Sequence, residues 1–215
     1  MESRPSLNTD TTNMNRSVYG KRLARMETSI AASKESHNFI GREKEKSDII
    51  KLISNKCSQQ EFKVISICGM GGLGKTTLVK YVYQSQEVSA MFDKRACVTI
   101  KHPFDPNELI NSLATQLDCK ETVNGDRKNP GNQLSLLANY LEGNKYLIVL
   151  DDLSSITEWD TITHLFPTSV TKSRIIVTTR QENVAKHCSK VDKNIYKLEI
   201  LGDRDAHSLF TEKVR

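Results

Sequence analysis

Gly69-Met70-Gly71-Gly72-Leu73-Gly74-Lys75-Thr76-Thr77 puts four glycines, a lysine and two hydroxyls into nine residues. The spacing G-x-x-x-x-G-K-[ST] suits the holding of phosphate. Glycines accept backbone angles that other residues avoid and let the main chain approach a ligand closely. Their N–H groups can then surround phosphate oxygens, and a following helix adds its dipole. Lys75 supplies a cation to the β- and γ-phosphates, Thr76 a hydroxyl for Mg²⁺, and Thr77 a hydroxyl for the α-phosphate. A chance Gly-rich turn would match the same letters. Here, however, the run follows a strand-like segment (Phe62–Cys68) and opens a helix-like one. Lys75 and the paired threonines also argue against a dinucleotide-binding G-x-G-x-x-G turn.

Three further stretches carry usable side chains. Leu147-Ile148-Val149-Leu150 ends on Asp151 and Asp152. Adjacent carboxylates at the end of a buried strand lie where open α/β sheets bind ligands. Asp151 is expected to hold Mg²⁺, and Asp152 to orient or deprotonate an attacking water. A solvated loop pair or a helix cap would have the same sequence. Ser173 to Arg180 ends a second buried strand on Thr178-Thr179-Arg180. On the same edge, Arg180 could read a γ-phosphate with its fixed guanidinium fork; an ordinary surface pair with Glu182 is the other reading. Asn38-Phe39-Ile40-Gly41-Arg42-Glu43 precedes the first strand. There Ile40 could meet adenine and Arg42 approach ribose or phosphate, or the residues simply form a turn before a helix.

The elements that must position these groups read as alternating β and α segments. Strands are expected over 62–68, 95–101, 146–150, 174–178 and 196–200. Their continuous apolar runs suit strands covered on both faces. One helix is announced by Asp105 as N-cap, Pro106 and Glu108, with Leu109, Ile110, Leu113 and Leu117 on one face. Another carries Leu134, Leu137, Ala138 and Leu141 and stops at Gly143. A third is expected from Lys75 to about Ala90, and a last one capped by Asp203 with Ala206, Leu209 and Phe210 on one face. The polar stretch from Cys119 to Gly131 reads as a surface loop. The whole is an α/β chain with a doubly wound parallel sheet. Residues 1–37 are polar and read as a flexible lead, 38–201 as the nucleotide-binding domain, and 202–215 as the start of a following helical subdomain.

The chain of 215 residues has 31 Lys plus Arg against 26 Asp plus Glu, a formal charge of +5. That balance is too mixed to imply nucleic acid as a partner. The aromatic share of 6% argues against a base-stacking module. Five scattered Cys without a C-x-x-C pair suit a reducing compartment, and the five His show no metal-ligand spacing. With no long apolar run, neither a membrane span nor a secretory signal is expected, and the sequon at Asn15 is taken as chance.

Taken together, Ile40-Gly41-Arg42-Glu43, the GMGGLGKTT loop, Phe92 to Ile100, LIVLDD and SRIIVTTR resemble the NB-ARC domain of plant disease-resistance receptors of the coiled-coil type. Tyr196 to Leu201 and Ala206 to Phe210 add to the likeness. These receptors form part of the STAND branch of P-loop ATPases. The resemblance implies a five-stranded sheet of order 5-1-4-3-2, an adenine nucleotide with Mg²⁺, and a nucleotide-operated switch in cytoplasmic defence. It also implies protein partners, either other receptor domains or other receptors. Its cofactor-binding set maps onto Ile40, Gly41, Arg42, Gly69 through Thr77, and Arg180. Thr76 and Asp151 would serve the metal, and Lys75, Asp151 and Asp152 the chemistry.

Two positions depart from the family pattern. Ser154 stands where the family usually has Trp, with Trp159 following later, and Cys97 replaces another common Trp. Altered packing is expected there rather than lost binding. The Gly-Leu-Pro-Leu and Met-His-Asp motifs are not in this sequence. A full two-state switch needs about 5.5 kcal/mol of differential binding. One Arg180 contact supplies about 1.5–3 kcal/mol. The chain is therefore expected to bind ADP or ATP, to be at most a slow ATPase, and to regulate little alone. A turnover P-loop ATPase and a non-catalytic fragment that pairs with full-length receptors remain open alternatives.

Overall fold

The structure is a computed structural model and describes residues 40–54, 61–119, 130–169 and 172–214. The expected lead, Asn38, Phe39 and most of the 119–131 loop lie outside the described residues. The elements run α1 (Glu43–Ser54), β1 (Lys63–Cys68), α2 (Lys75–Gln84), α3 (Gln86–Ser89), β2 (Lys94–Thr99), α4 (Pro106–Gln116), α5 (Pro130–Glu142), β3 (Tyr146–Asp151), α6 (Ile156–Ile162), β4 (Arg174–Thr179), α7 (Glu182–Ser189), β5 (Ile195–Lys197) and α8 (Asp203–Val214).

All strand pairs are parallel, and their order is β2-β3-β4-β1-β5. Read from the other side this is 5-1-4-3-2, the expected order. Alternation along each strand supplies two cores. Ile148 and Leu150 of β3 and Ile175 and Val177 of β4 face one layer, packing with Leu113, Leu141 and Trp159. Leu147, Val149 and Ile176 face the other, against Ile49, Ile53, Leu78 and Val82. Side chains alternate with a period of two, so a strand covered on both faces must be apolar at every position. Trp159 is 3% exposed and belongs to the first core.

Register fixes what matters for chemistry. Cys68 pairs with Thr179, and Thr99 with Asp151. Four strands therefore end together, and the residues that follow them share one edge of the sheet.

Several details differ from the sequence reading. The expected helix from Lys75 to Ala90 is broken at Ser85, whose backbone is extended. The Ser85 hydroxyl donates to Val82 O and accepts from Val88 N–H, so one residue ends α2 and caps α3. Asp105 does cap α4, accepting from Asn107 N–H at 2.8 Å. Glu108 pairs with Lys101 across the turn. β5 is shorter than expected, although Leu198 N–H still donates to Cys68 O at 2.8 Å. At α8, Gly202 O rather than Asp203 takes the first helical hydrogen bond, from Ala206 N–H, and Phe210 is exposed rather than packed.

Candidate functional site

The loop from Gly69 to Gly74 connects β1 to α2. Gly72 and Gly74 hold φ of +81° and +85°, a region that disfavours side chains, and a Cβ there would meet nothing within 4 Å. Their outer face is open. Gly69 is the reverse case, since a Cβ would lie 2.7 Å from Leu198 O and 3.0 Å from Leu73 Cδ1. One glycine of the loop thus permits close packing inward, and two permit the turn that presents backbone outward. Gly74 brings no side chain to cap α2.

Lys75 lies under this loop, 7% exposed, with Nζ donating to Gly69 O and Met70 O at 2.7 Å each. Burial pushes its ammonium below the ordinary lysine range and the nearby Arg180 charge adds to this, while the Asp152 and Asp151 carboxylates oppose it. Asp151, 1% exposed, closes β3. Its carboxylate accepts from three hydroxyls: Thr178 at 2.7 Å, Thr76 at 3.0 Å and Thr99 at 3.3 Å. One carboxylate and a Thr hydroxyl at a P-loop lysine form a hard-oxygen donor set of the kind Mg²⁺ takes.

Asp152 follows in a left-handed conformation, φ 64°. Its N–H donates to Thr178 Oγ1 at 2.9 Å, and its carboxylate lies 3.5 Å from Arg180 Nε. Arg180 also lies beside the loop, because a Cβ on Gly71 would be 3.6 Å from its Nη1. Glu182, the alternative partner for Arg180, pairs instead with Lys186 and Lys197, which together draw its carboxyl down to about 2. On the far side of Asp152, His102 Nε2 lies 3.2 Å from the Asp152 carbonyl and Nδ1 3.5 Å from Glu158 Oε1.

The glycine loop, Lys75, Thr76, Asp151, Asp152 and Arg180 are thus brought together at one sheet edge. Thr77 is exposed on the first turn of α2, and Met70 at the loop tip is 74% exposed. Leu73 packs against the α1–α2 side of the sheet. Arg42, expected near ribose or phosphate, reaches the loop at Leu73. It is 5% exposed, with Nη1 on Glu45 and Nη2 donating to Glu199 O at 2.7 Å and Leu73 O at 3.3 Å. It ties the phosphate loop to the segment leaving β5.

Gly41, φ +80°, serves the same junction, since a Cβ would lie 2.5 Å from Asp205 Cβ in α8. Gly41→Ala is therefore expected to loosen α8. Overpacking of this kind costs about 1–3 kcal/mol. Faster hydrogen exchange over 203–214 would register it, and unchanged protection would contradict it. Ile40 precedes this junction and is half-buried.

Thr99, Thr178, His102 and Glu158 are site neighbours that motif spacing does not announce. Thr178 stands inside a quoted motif, but its two hydrogen bonds depend on strand pairing. Burial lifts Cys97 to about 11 and Cys188 to about 12, so both stay protonated.

Residues 42–215 match the NB-ARC domain. Disease resistance protein RGA2 of Solanum bulbocastanum is 30% identical over 176 residues, covering 80% of this chain and 18% of that protein. Disease resistance protein RPP13 of Arabidopsis thaliana is 33% identical over 174 residues, covering 77% and 20%. The chain spans about a fifth of the length of these curated relatives. Among solved structures, the Aeropyrum pernix ORC2 protein in ADPNP-ADP complexes superposes with a TM-score of 0.59 at 17% identity, covering 82% of this chain and 53% of that one. The Signal Transduction ATPase with Numerous Domains protein PH0952 of Pyrococcus horikoshii gives 0.50 at 21% identity, covering 82% and 25%. At these identities the two structures show a shared fold.

Proposed function

We propose, from the premise that this chain belongs to the NB-ARC domain family, that it is the adenine-nucleotide module of a plant immune receptor. The observation that carries this reading is the convergence at one sheet edge of an open glycine loop, the Lys75 ammonium and the Thr76–Asp151 pair. The loop N–H groups and the N-terminus of α2 cradle the phosphates of ADP or ATP. Lys75 exchanges its two loop carbonyls for phosphate oxygens, and Thr77 serves the α-phosphate. Thr76 and Asp151 would hold Mg²⁺, which when bound neutralises charge between the β- and γ-phosphates. Asp152 orients water for slow hydrolysis. Ile40, Gly41 and Arg42 shape the adenine side, with Arg42 acting by holding Leu73 and Glu199 in place. Residues 38–201 form the nucleotide-binding unit, and α8 begins the next subdomain. The module works in the cytoplasm and meets other receptor domains or receptors. No described helix is long and apolar enough to cross a membrane.

Arg180 tests the switch part of this reading. Its guanidinium sits between Asp152 and the loop, so it can trade a carboxylate for a γ-phosphate. Arg180→Ala is expected to weaken ATP about tenfold, the lower end for a charged hydrogen bond because the side chain is exposed. ADP affinity should stay within about twofold, since the diphosphate never makes that contact. Equal losses for both nucleotides in a competition assay would remove Arg180 as the γ-phosphate reader.

A further inference from the structure

His102 lies in the segment between β2 and α4, fifty positions from the acidic pair in sequence. Both ring nitrogens face oxygens, the Asp152 carbonyl at 3.2 Å and Glu158 Oε1 at 3.5 Å. Both oxygens are acceptors, so the ring can meet either one only as an N–H donor. Asp152 needs such support. A non-glycine residue at positive φ persists where its surroundings fix it. Here Thr178 holds the Asp152 N–H and His102 holds its carbonyl. Glu158 anchors the arrangement in turn. Its Oε2 accepts from Ser154 N–H at 2.8 Å and its Oε1 from the Ser154 hydroxyl at 2.6 Å, and its side chain is 10% exposed.

We propose that His102, tethered by Glu158, is a positioning residue that sets the Asp152 carboxylate for hydrolysis and leaves nucleotide binding unaffected. The proposal rests on the reading of Asp152 as the water-orienting group. Several charged groups surround the ring. Glu158 of α6 faces it directly. The Asp152 carboxylate is held by Arg180 after β4. On the histidine's own segment, Lys101 pairs with Glu108 of α4, and Asp105 caps that helix.

The test is single-turnover ATP hydrolysis by the full chain, with ADP and ATP affinities measured beside it. His102→Ala should slow hydrolysis about tenfold, the low end for an outer-shell partner, and leave both affinities within about twofold. His102→Gln keeps one donor and should restore most of the rate. His102→Asn, whose shorter amide falls short of the carbonyl, should behave as Ala does. The side chain is 40% exposed, so these replacements leave the core intact. Equal rates for parent and Ala, a Gln chain no faster than Ala, or a loss of affinity in the Ala chain would each overturn the proposal. So would a parent chain that binds nucleotide but hydrolyses none, with the cradle left standing. A parent that binds no nucleotide would instead refute the proposed function itself.

Discussion

Lys75→Ala is expected to remove measurable ATP and ADP binding while the chain stays folded. In the structure the Lys75 ammonium bonds only to carbonyls of its own loop, and the loop around it is exposed at Met70, Gly71 and Gly72. Water can take over Gly69 O and Met70 O when the cation is gone. Burial and Arg180 already hold the ammonium below its ordinary range, so the folded state gains little from the charge. Phosphate oxygens, in contrast, lose a direct cation. Two charged hydrogen bonds are worth about 1.5–3 kcal/mol each. Their loss corresponds to roughly a hundred- to ten-thousand-fold weaker binding. Equilibrium dialysis with labelled nucleotide reads the affinity, and the urea midpoint reads the fold. Retained affinity would remove the lysine from the site. A collapsed midpoint would show that the lysine serves the fold instead.

Asp151→Asn is the second large effect, and it falls on magnesium dependence. Asp151 is buried and meets three threonine hydroxyls from three different elements. Asn keeps the size and removes the charge. A hydroxyl can turn to accept from the new amide, so the structural cost is about that of one hydrogen bond, roughly 1 kcal/mol. The functional cost is larger, because a neutral amide would no longer attract a divalent cation. ATP affinity in the presence of Mg²⁺ should fall about 10–100-fold, while affinity in EDTA should match that of the unaltered chain. The diagnostic quantity is the ratio of the two, which should approach one in the variant. If Mg²⁺ strengthens ATP binding equally in both chains, Asp151 is a structural acceptor for Thr178, Thr76 and Thr99 and not the metal's partner.

Much of this site is legible in the chain because its parts are local. The glycine loop, Lys75 and the two threonines are contiguous, and apolar runs before Gly69 and Asp151 mark strands covered on both faces. Asp105 before Pro106 announces a helix start, and α4 begins there. What escapes is what depends on pairing between distant segments. Thr99 reaches Asp151 only because β2 lies beside β3 in that register, and His102 reaches Asp152 across fifty positions. Arg42 shows another limit. Its place in a short motif says that the guanidinium matters, but the direction it takes depends on where β5 leaves the sheet. Ser85 shows a third. A serine within a helical pattern can turn outward or cap, and here it bonds on both sides and divides the helix.

On the proposed reading, exchange among Arg180, Asp152 and Lys75 would let the site tell two nucleotides apart. The cations are held by weak or exposed partners, a carboxylate at 3.5 Å and two loop carbonyls. A polyphosphate offers both of them stronger partners at once. Arg42 joins the loop to the segment that leads into α8, so a shift of Leu73 has a direct path to that helix. The single Arg180 contact falls short of the roughly 5.5 kcal/mol needed to invert a two-state balance. Contacts outside this chain would supply the remainder.

Calorimetric titration of nucleotide-stripped, folded chain with ADP, and with ATP plus Mg²⁺, addresses the site most directly. One saturable site per chain for an adenine nucleotide is the expected result. Absence of any heat or saturation with either nucleotide, from protein whose cooperative unfolding shows it to be native, would contradict the assignment of the sheet edge as a nucleotide cradle.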